Sequence, residues 1–243
     1  MQLSVVSPTY NEAGNVDSLV ETLTSVLQGI DYEIVIADDD SPDLTWKRAA
    51  DIGHRDSRVR VVRRTSNHGL ARAVIHGFQE ARGEVVACID ADLQHDPSIL
   101  PAMLREIERG ADLVVGSRYA EAGGTDGWSF VRRAQSWIAT QLAQAFMGVK
   151  LHDPMSGFFM MRKIDFLTLQ DRLQPQGFKI LLEIIGNSRF ESIAEVPYIF
   201  GPRKYGKSKL TSGVVFSYLR QLIRLSRRRP ENLVPVPKLS SSS

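Results

Sequence analysis

The sequence predicts an α/β fold: a mostly parallel sheet with helices on both faces, followed by a C-terminal amphipathic helix. Three observations predict it. Short apolar runs alternate with helix-period segments from Leu3 to Val115, the order of βαβ units. Pro8–Glu12, Asp38–Asp39 and Asp90–Asp92 each follow one of those runs, and the C-terminal ends of parallel strands are where open α/β sheets bind ligands. The 243 residues, 43% hydrophobic and 24% charged, suit one soluble-type domain with a sizeable core.

Leu3–Ser7 is the first strand. Val16, Leu19, Val20, Leu23, Val26 and Leu27 then recur at helical spacing, and Gly29 ends that helix. Tyr32–Ala37 is the second strand and stops at Asp38-Asp39-Asp40-Ser41-Pro42-Asp43. A short helix through Trp46, Ala49 and Ala50 leads to a third strand, Val59–Val62. Asn67-His68-Gly69 opens a helix running to about Arg82, and Val85–Ile89 is the fourth strand. Ser98 is expected to cap a helix carrying Ile99, Met103, Leu104 and Ile107, closed by Gly110. Asp112–Val115 is the fifth strand, and Gly116-Ser117-Arg118-Tyr119 follows it. Beyond Gly116 the alternation stops. Trp128–Met147 reads as a helix, Asp153–Phe158 as a turn, Phe159–Met161 as a strand, Phe178–Asn187 as a helix and Ser192–Phe200 as a strand. Leu210–Arg228 is a long helix with Leu210, Val214, Val215, Tyr218, Leu219, Leu222, Ile223 and Leu225 on its apolar side. The domain is expected to span 1–229, and the Pro- and Ser-rich residues 230–243 to form a structureless tail.

Net charge is +2, so the overall balance names no partner. Its distribution is uneven: Val196–Pro230 holds no acidic residue but carries Arg203, Lys204, Lys207, Lys209, Arg220, Arg224 and Arg227–Arg229. With the apolar side of the last helix, that charge fits an anionic membrane interface; a helix packed on the sheet with a solvated basic face fits equally. Trp128, Phe130, Trp137 and Phe146 are open to the same two readings. Nucleic acid is not expected, for want of a recognisable binding fold or aromatic platform. The single cysteine, Cys88, excludes an internal disulfide and fits a reducing compartment. No secretory leader pattern and no apolar stretch long enough for a bilayer are visible, so the expected location is cytoplasmic, peripheral to a membrane.

The chemistry centres on Val85–Pro97, where an apolar strand ends in Asp90-Ala91-Asp92-Leu93-Gln94-His95. If the strand continues, Asp90, Asp92 and Gln94 face one side. Hard oxygen ligands suit Mg²⁺ or Mn²⁺. His95 could orient the metal site, but an exposed turn residue is the preferred expectation, and none of the five histidines has zinc-like spacing. Gly201–Ser208 matches the phosphate-loop pattern G-x-x-x-x-G-K-[ST]. That pattern belongs to a βαβ unit with more sheet beyond its helix, whereas here one helix and a polar tail follow. NTP hydrolysis is therefore set below a phosphate grip by side-chain charge. Non-catalytic binding at a membrane is the third class in view.

Pro8-Thr9-Tyr10-Asn11-Glu12, Asp38-Asp39-x-Ser41-Pro42-Asp43, Gly69-Leu70-x-x-Ala73, Asp90-Ala91-Asp92-Leu93-Gln94-His95-x-Pro97 and Gly116-Ser117-Arg118-Tyr119 together resemble glycosyltransferase family 2. Gly127-Trp128, Arg132, Ser136, Asp153-Pro154-x-Ser156-Gly157-Phe158 and Glu195-Val196-Pro197 leading to Arg203-x-Tyr205-Gly206-x-Ser208-Lys209-Leu210 narrow the resemblance to polyprenol-phosphate mannose synthases. The resemblance covers nearly all of residues 1–225. It implies a GT-A fold and inverting, metal-dependent transfer of mannose from GDP-mannose to a polyprenyl or dolichyl monophosphate, on the cytoplasmic face of a membrane and with room for a separate anchoring protein. A related member using UDP-glucose or a similar donor is the alternative. By motif, Pro8, Tyr10, Glu12, Ala37 and Asp39 would hold the nucleoside. Asp90, Ala91, Asp92 and Gln94 would hold metal and diphosphate. Arg118, Arg203 and Lys209 would contact phosphates, and Arg132 with Ser136 would receive the acceptor phosphate. Asp92, Arg118 and Arg132 are the expected catalytic residues, and Asp153 would orient sugar or arginine. Two positions depart from the pattern: Asp40 and Leu44 each replace a glycine beside the nucleoside pocket.

Overall fold

Strand β1 (Leu3–Thr9) is buried along its whole length, and the sheet grows outward from it. The structure, a computed structural model, describes residues 1–125, 130–147, 151–174, 179–201, 212–227 and 234–235, with backbone alone at 130–135, 146–147, 212–217 and 234–235. After β1 come α1 (Val16–Val26), β2 (Tyr32–Asp38), α2 (Thr45–Gly53), β3 (Val59–Arg63), α3 (Leu70–Glu80) and β4 (Val85–Cys88). Then follow α4 (Leu100–Glu108), β5 (Leu113–Ser117), β6 (Gly124–Thr125), α5 (Phe130–Met147), β7 (Phe159–Arg162), α6 (Lys163–Leu169) and α7 (Ile180–Asn187). The chain closes with β8 (Ser188–Arg189), β9 (Ile193–Pro197), β10 (Ile199–Phe200), α8 (Ser212–Ser226) and β11 (Val234–Pro235).

The main sheet has seven strands in the order β3-β2-β1-β4-β7-β5-β9. All its pairs are parallel except those of β7, which runs antiparallel to β4 and β5. Side chains alternate across the strands with a period of two. Val5, Ile34 and Ile36 enter one core with α1, α2 and α4, while Val6, Val35 and Ala37 enter the other with α3, α6 and α7. That division is why both faces carry helices. A third, smaller core holds α5, α7 and α8 together through Ala143, Leu182, Tyr218, Leu222 and Leu225.

Several local expectations need correction. Helix α6 lies where the sequence suggests no element; it packs Phe166 and Leu169 into the core, with Phe78 meeting Phe166 edge-on at 5.2 Å. Ser98 is not the cap: Asp96 accepts the Ser98 N–H at 3.0 Å and starts a 3₁₀ turn, and α4 begins only at Leu100. Within residues 230–243, Val234–Pro235 pairs in parallel with Ser188–Arg189.

The two departures from the family's glycines fall on left-handed backbone, with φ +54° at Asp40 and +63° at Leu44. Only glycine takes that conformation without a side-chain clash. Asp40 is partly compensated by an ion pair to Arg63 at 2.6 Å, and Arg63 lies over the Trp46 ring at 3.7 Å. Leu44 is exposed and half free of packing. Leu44→Gly should therefore raise stability, by about 0.5–1 kcal/mol once the entropy of the unfolded chain is counted. Chemical denaturation checks this; an unchanged or lower midpoint would remove strain at Leu44 as the reason for a glycine there.

Candidate active site

Register alone brings two polar clusters together. Pro8 lies beside Ala37 and Thr9 beside Asp38, so the loops after β1 and β2 leave the sheet side by side. They are then stitched: Asn11 N–H donates to Ser41 Oγ (3.0 Å), Glu12 N–H to Thr45 Oγ1 (2.9 Å) and Ala13 N–H to Asp43 Oδ2 (3.1 Å). The two adjacent aspartates divide the work. Asp38 is buried and accepts from Thr9 Oγ1, Ser41 N–H and Ser41 Oγ, which makes it the brace of the loop. Asp39 pairs with Arg64 and accepts the Gly69 N–H at 2.5 Å, tying the start of α3 to the pocket. Tyr10 stands over this edge with 45% of its surface exposed. Glu12 is held by Asn15, whose Nδ2 donates to it at 2.6 Å. The five expected nucleoside residues thus share one edge.

Strand β4 lies on the other side of β1, so the Asp90–Gln94 loop joins the same edge. The expectation of a continuing strand is wrong there: β4 ends at Cys88, and the chain turns at Ala91–Leu93 with φ +60° at Leu93. Asp92 Oδ1 accepts the Gln94 N–H at 3.2 Å, which shapes the turn. Asp92 is 9% exposed and Asp90 more open. Gln94 is buried and doubly tied to Gly201: its Nε2 donates to the Gly201 carbonyl and its own carbonyl accepts the Gly201 N–H, both at 2.9 Å. Among the described residues no cluster of three or more His, Cys, Asp or Glu could hold a metal. Two carboxylates and an amide oxygen fit Mg²⁺ or Mn²⁺, which keep waters and share substrate phosphates instead of needing an all-protein cage.

Across the crevice stands Arg118. Its Nε and Nη2 donate to the two oxygens of Asp153 at 2.7 and 2.8 Å, and its N–H donates to Oδ2 at 3.1 Å. Asp153 is fully buried, so the acid orients the arginine. Burial works against the guanidinium charge, but the hydrogen bonds and charge of Asp153 outweigh it, so Arg118 stays charged. Glu195 holds the Asp153 segment from beneath, accepting the His152 and Asp153 N–H groups at 2.9 and 3.1 Å. Ser136 lies nearby on α5, where its Oγ meets the Tyr119 hydroxyl at 2.7 Å. Arg132, Arg203 and Lys209 were also expected here; their side chains, and the Gly201–Ser208 phosphate-loop match beyond Gly201, lie outside the described residues.

The structure corrects the preferred reading of His95 and adds a residue, Lys179, that sequence reasoning missed. His95 is buried, 6% exposed, and not a turn residue in solvent. Burial lowers its pKa to about 4 against the pull of Asp92, so the ring is neutral. Lys179, just before α7, reaches the Met155 carbonyl at 3.1 Å; burial and then Arg118 lower its pKa to about 8, with Asp90 and Asp153 opposing. No local pattern marks Lys179; its place follows from α7 packing. Arg224, read as part of a basic helix face, instead turns inward to pair with the buried Glu183 on α7. Trp137, however, is 62% exposed, and Ile138, Leu219 and Ile223 are exposed on the packed pair α5 and α8. Among the described residues no helix is long and apolar enough to cross a membrane.

Residues 4–168 match the sequence pattern of Glycosyl transferase family 2. The chain belongs to glycosyl transferase family 2. It is 42% identical to a dolichol-phosphate mannosyltransferase of Pyrococcus furiosus over 93% of its own length but only 64% of that protein's, so it spans under two thirds of that relative. It is 39% identical to the protein of that name from Mycosarcoma maydis and 35% to that of Saccharomyces cerevisiae, in each case over 93% of this chain, and covers 79% and 87% of those proteins. Among solved structures, glucosyl-3-phosphoglycerate synthase of Mycobacterium tuberculosis with Mn²⁺, UDP-glucose and phosphoglyceric acid superposes with a TM-score of 0.71 at 20% identity, covering 98% of this chain and 88% of that one. That likeness establishes the GT-A-like fold, and the family makes the protein a glycosyltransferase.

Proposed function

We propose that this glycosyltransferase moves mannose from GDP-mannose to a polyprenyl or dolichyl monophosphate, with inversion and with a divalent cation, Mg²⁺ or Mn²⁺. The observation that carries the reading is the 35–42% identity, sustained over 93% of the chain, to three proteins named dolichol-phosphate mannosyltransferase. The site's geometry supports it. Pro8, Tyr10, Glu12, Ala37 and Asp39 receive the nucleoside at the β1–β2 edge. Asp90, Asp92 and Gln94 hold the cation, which would neutralise charge developing on the departing diphosphate. Arg118, with its charge fixed by Asp153, faces the same crevice and supplies preorganised positive charge. Arg203 and Lys209 add to that grip, and Arg132 with Ser136 receives the acceptor phosphate. A phosphate monoester is already anionic at neutral pH and needs positioning, not a general base. The oxygen–carbon bond to the anomeric centre forms as the bond to the diphosphate breaks, and the diphosphate keeps the electron pair.

The lipid end of the acceptor requires an apolar surface. Trp137 and Ile138 directly follow Ser136 on α5 and are open to solvent, and α8 adds exposed Leu219, Arg220 and Ile223, with exposed Arg227 just after it. These exposed side chains support peripheral seating on a membrane interface; the proposal places the enzyme on the cytoplasmic face, whether or not a separate protein adds an anchor.

The test is purified protein with Mn²⁺ or Mg²⁺, labelled GDP-mannose and a polyprenyl phosphate in vesicles. Label moving into the organic phase is expected. Label that moves only from UDP-glucose would replace the donor, and no lipid-linked sugar from any donor would end the reading. Lys179 supplies a pH signature. Its ammonium is charged below about 8 and loses its proton as pH rises through that value. Its charge interacts with those of Arg118 and Asp90, and we place it with them among the groups that meet the donor diphosphate, so the donor KM should climb between about pH 7 and 9, and Lys179→Arg should flatten the climb. A KM that stays level in the wild type would remove Lys179 from the donor grip.

A further inference from the structure

His95 is built around Asp90. Its ring stacks on Phe158 (centroids 5.3 Å apart, 22° between planes) and meets the edges of Tyr198 and Phe200 at 5.7 and 5.6 Å. Such a cage leaves the imidazole little room to rotate. Both ring nitrogens face one residue: Nδ1 accepts the Asp90 N–H at 3.2 Å, and Nε2 lies 3.8 Å from Asp90 Oδ2. Gly157 closes on the same carboxylate: a Cβ there would stand 2.9 Å from Oδ2 and 3.2 Å from Oδ1. Between Asp90 and His95 the chain must turn through left-handed Leu93, so nothing in the loop's own backbone repeats a strand or helix ladder. An unsupported loop of this kind would let the carboxylate wander by more than a metal site tolerates.

We propose that His95 is a positioning residue which, together with the close approach of Gly157, clamps Asp90 in the place the divalent cation requires. The proposal rests on the metal reading above. His95 touches neither donor nor acceptor; it acts through the Asp90 backbone and carboxylate. A residue that merely filled space would need only its ring, whereas a clamp needs the acceptor at Nδ1.

Three substitutions separate these roles. His95→Phe keeps a ring and loses the acceptor. His95→Asn loses the ring but puts an amide oxygen about where Nδ1 stands. Gly157→Ala pushes directly on the carboxylate and leaves the aromatic cage intact. Two measurements are made on each folded variant: Mn²⁺ binding in the presence of GDP, from the electron paramagnetic resonance of free Mn²⁺, and amide hydrogen exchange of the 86–96 segment without metal. His95→Phe and Gly157→Ala should each weaken Mn²⁺ binding about tenfold, the usual effect of losing a group that orients a metal ligand. His95→Phe should also speed exchange in the loop, and His95→Asn should recover much of both losses. Mn²⁺ binding at wild-type strength in His95→Phe would overturn the clamp, as would His95→Asn performing no better than His95→Phe. Wild-type protein that binds no Mn²⁺ with GDP would instead count against the metal reading, and the exchange measurement would still decide whether His95 holds the loop.

Discussion

Asp92→Asn should lower metal-dependent transfer on the order of a thousandfold, the scale seen when a preorganised charge-stabilising group is removed, while the protein stays folded. The asparagine oxygen can still accept the Gln94 N–H that Asp92 Oδ1 accepts at 3.2 Å, so the turn survives and only the charge is lost. Asp92→Ala removes both, and should be equally inactive but less stable. The paired measurement is initial rate against Mn²⁺ concentration and thermal unfolding without metal. Turnover near the wild-type level in Asp92→Asn would remove Asp92 from the metal set.

Asp153→Ala should be the most destabilising single change at the site. It strands the Arg118 guanidinium, 11% exposed, without the carboxylate that meets it at two points. Breaking a buried pair by removing one partner costs about 3–5 kcal/mol. For a chain of this length that is roughly 6–20 °C in Tm. Removing both charges with Arg118→Met and Asp153→Leu should recover part of the stability, because no buried charge is left alone, yet leave the enzyme inactive. If the double variant is no more stable than Asp153→Ala, the loss comes from packing or the Asp153 backbone contacts and not from a stranded charge. Activity in the double variant would sink the role of Arg118.

Much of this architecture was legible in local patterns. Continuous apolar runs such as Val85–Cys88 marked strands buried on both faces, and helix-period stripes such as Val16–Leu27 marked their covers. Even the strained positions could be located, because Asp40 and Leu44 stand where the family pattern has glycine. What local patterns missed has one character: each case depends on a partner distant in sequence. Glu183 and Arg224 are 41 residues apart, and Gln94 and Gly201 are 107. Asp38 and Asp39 are indistinguishable as letters, yet one braces its loop and the other reaches Arg64 and Gly69. Arg224 looked like surface charge until Glu183 drew it inward.

The sequence by itself determined the α/β class, the strand ends that carry chemistry and, through its motifs, the family. Those properties follow from backbone period and residue type, which act over a few residues. Only the tertiary structure decided how the Asp90–Gln94 loop is held. The Asp90–Gln94 segment turns and does not continue as a strand, and His95 and Gly157 both close on Asp90. Those contacts arise because β7 inserts antiparallel between β4 and β5 and carries the Asp153–Phe158 turn to the β4 edge. Which strand inserts there is set by long-range packing, to which no local period is sensitive.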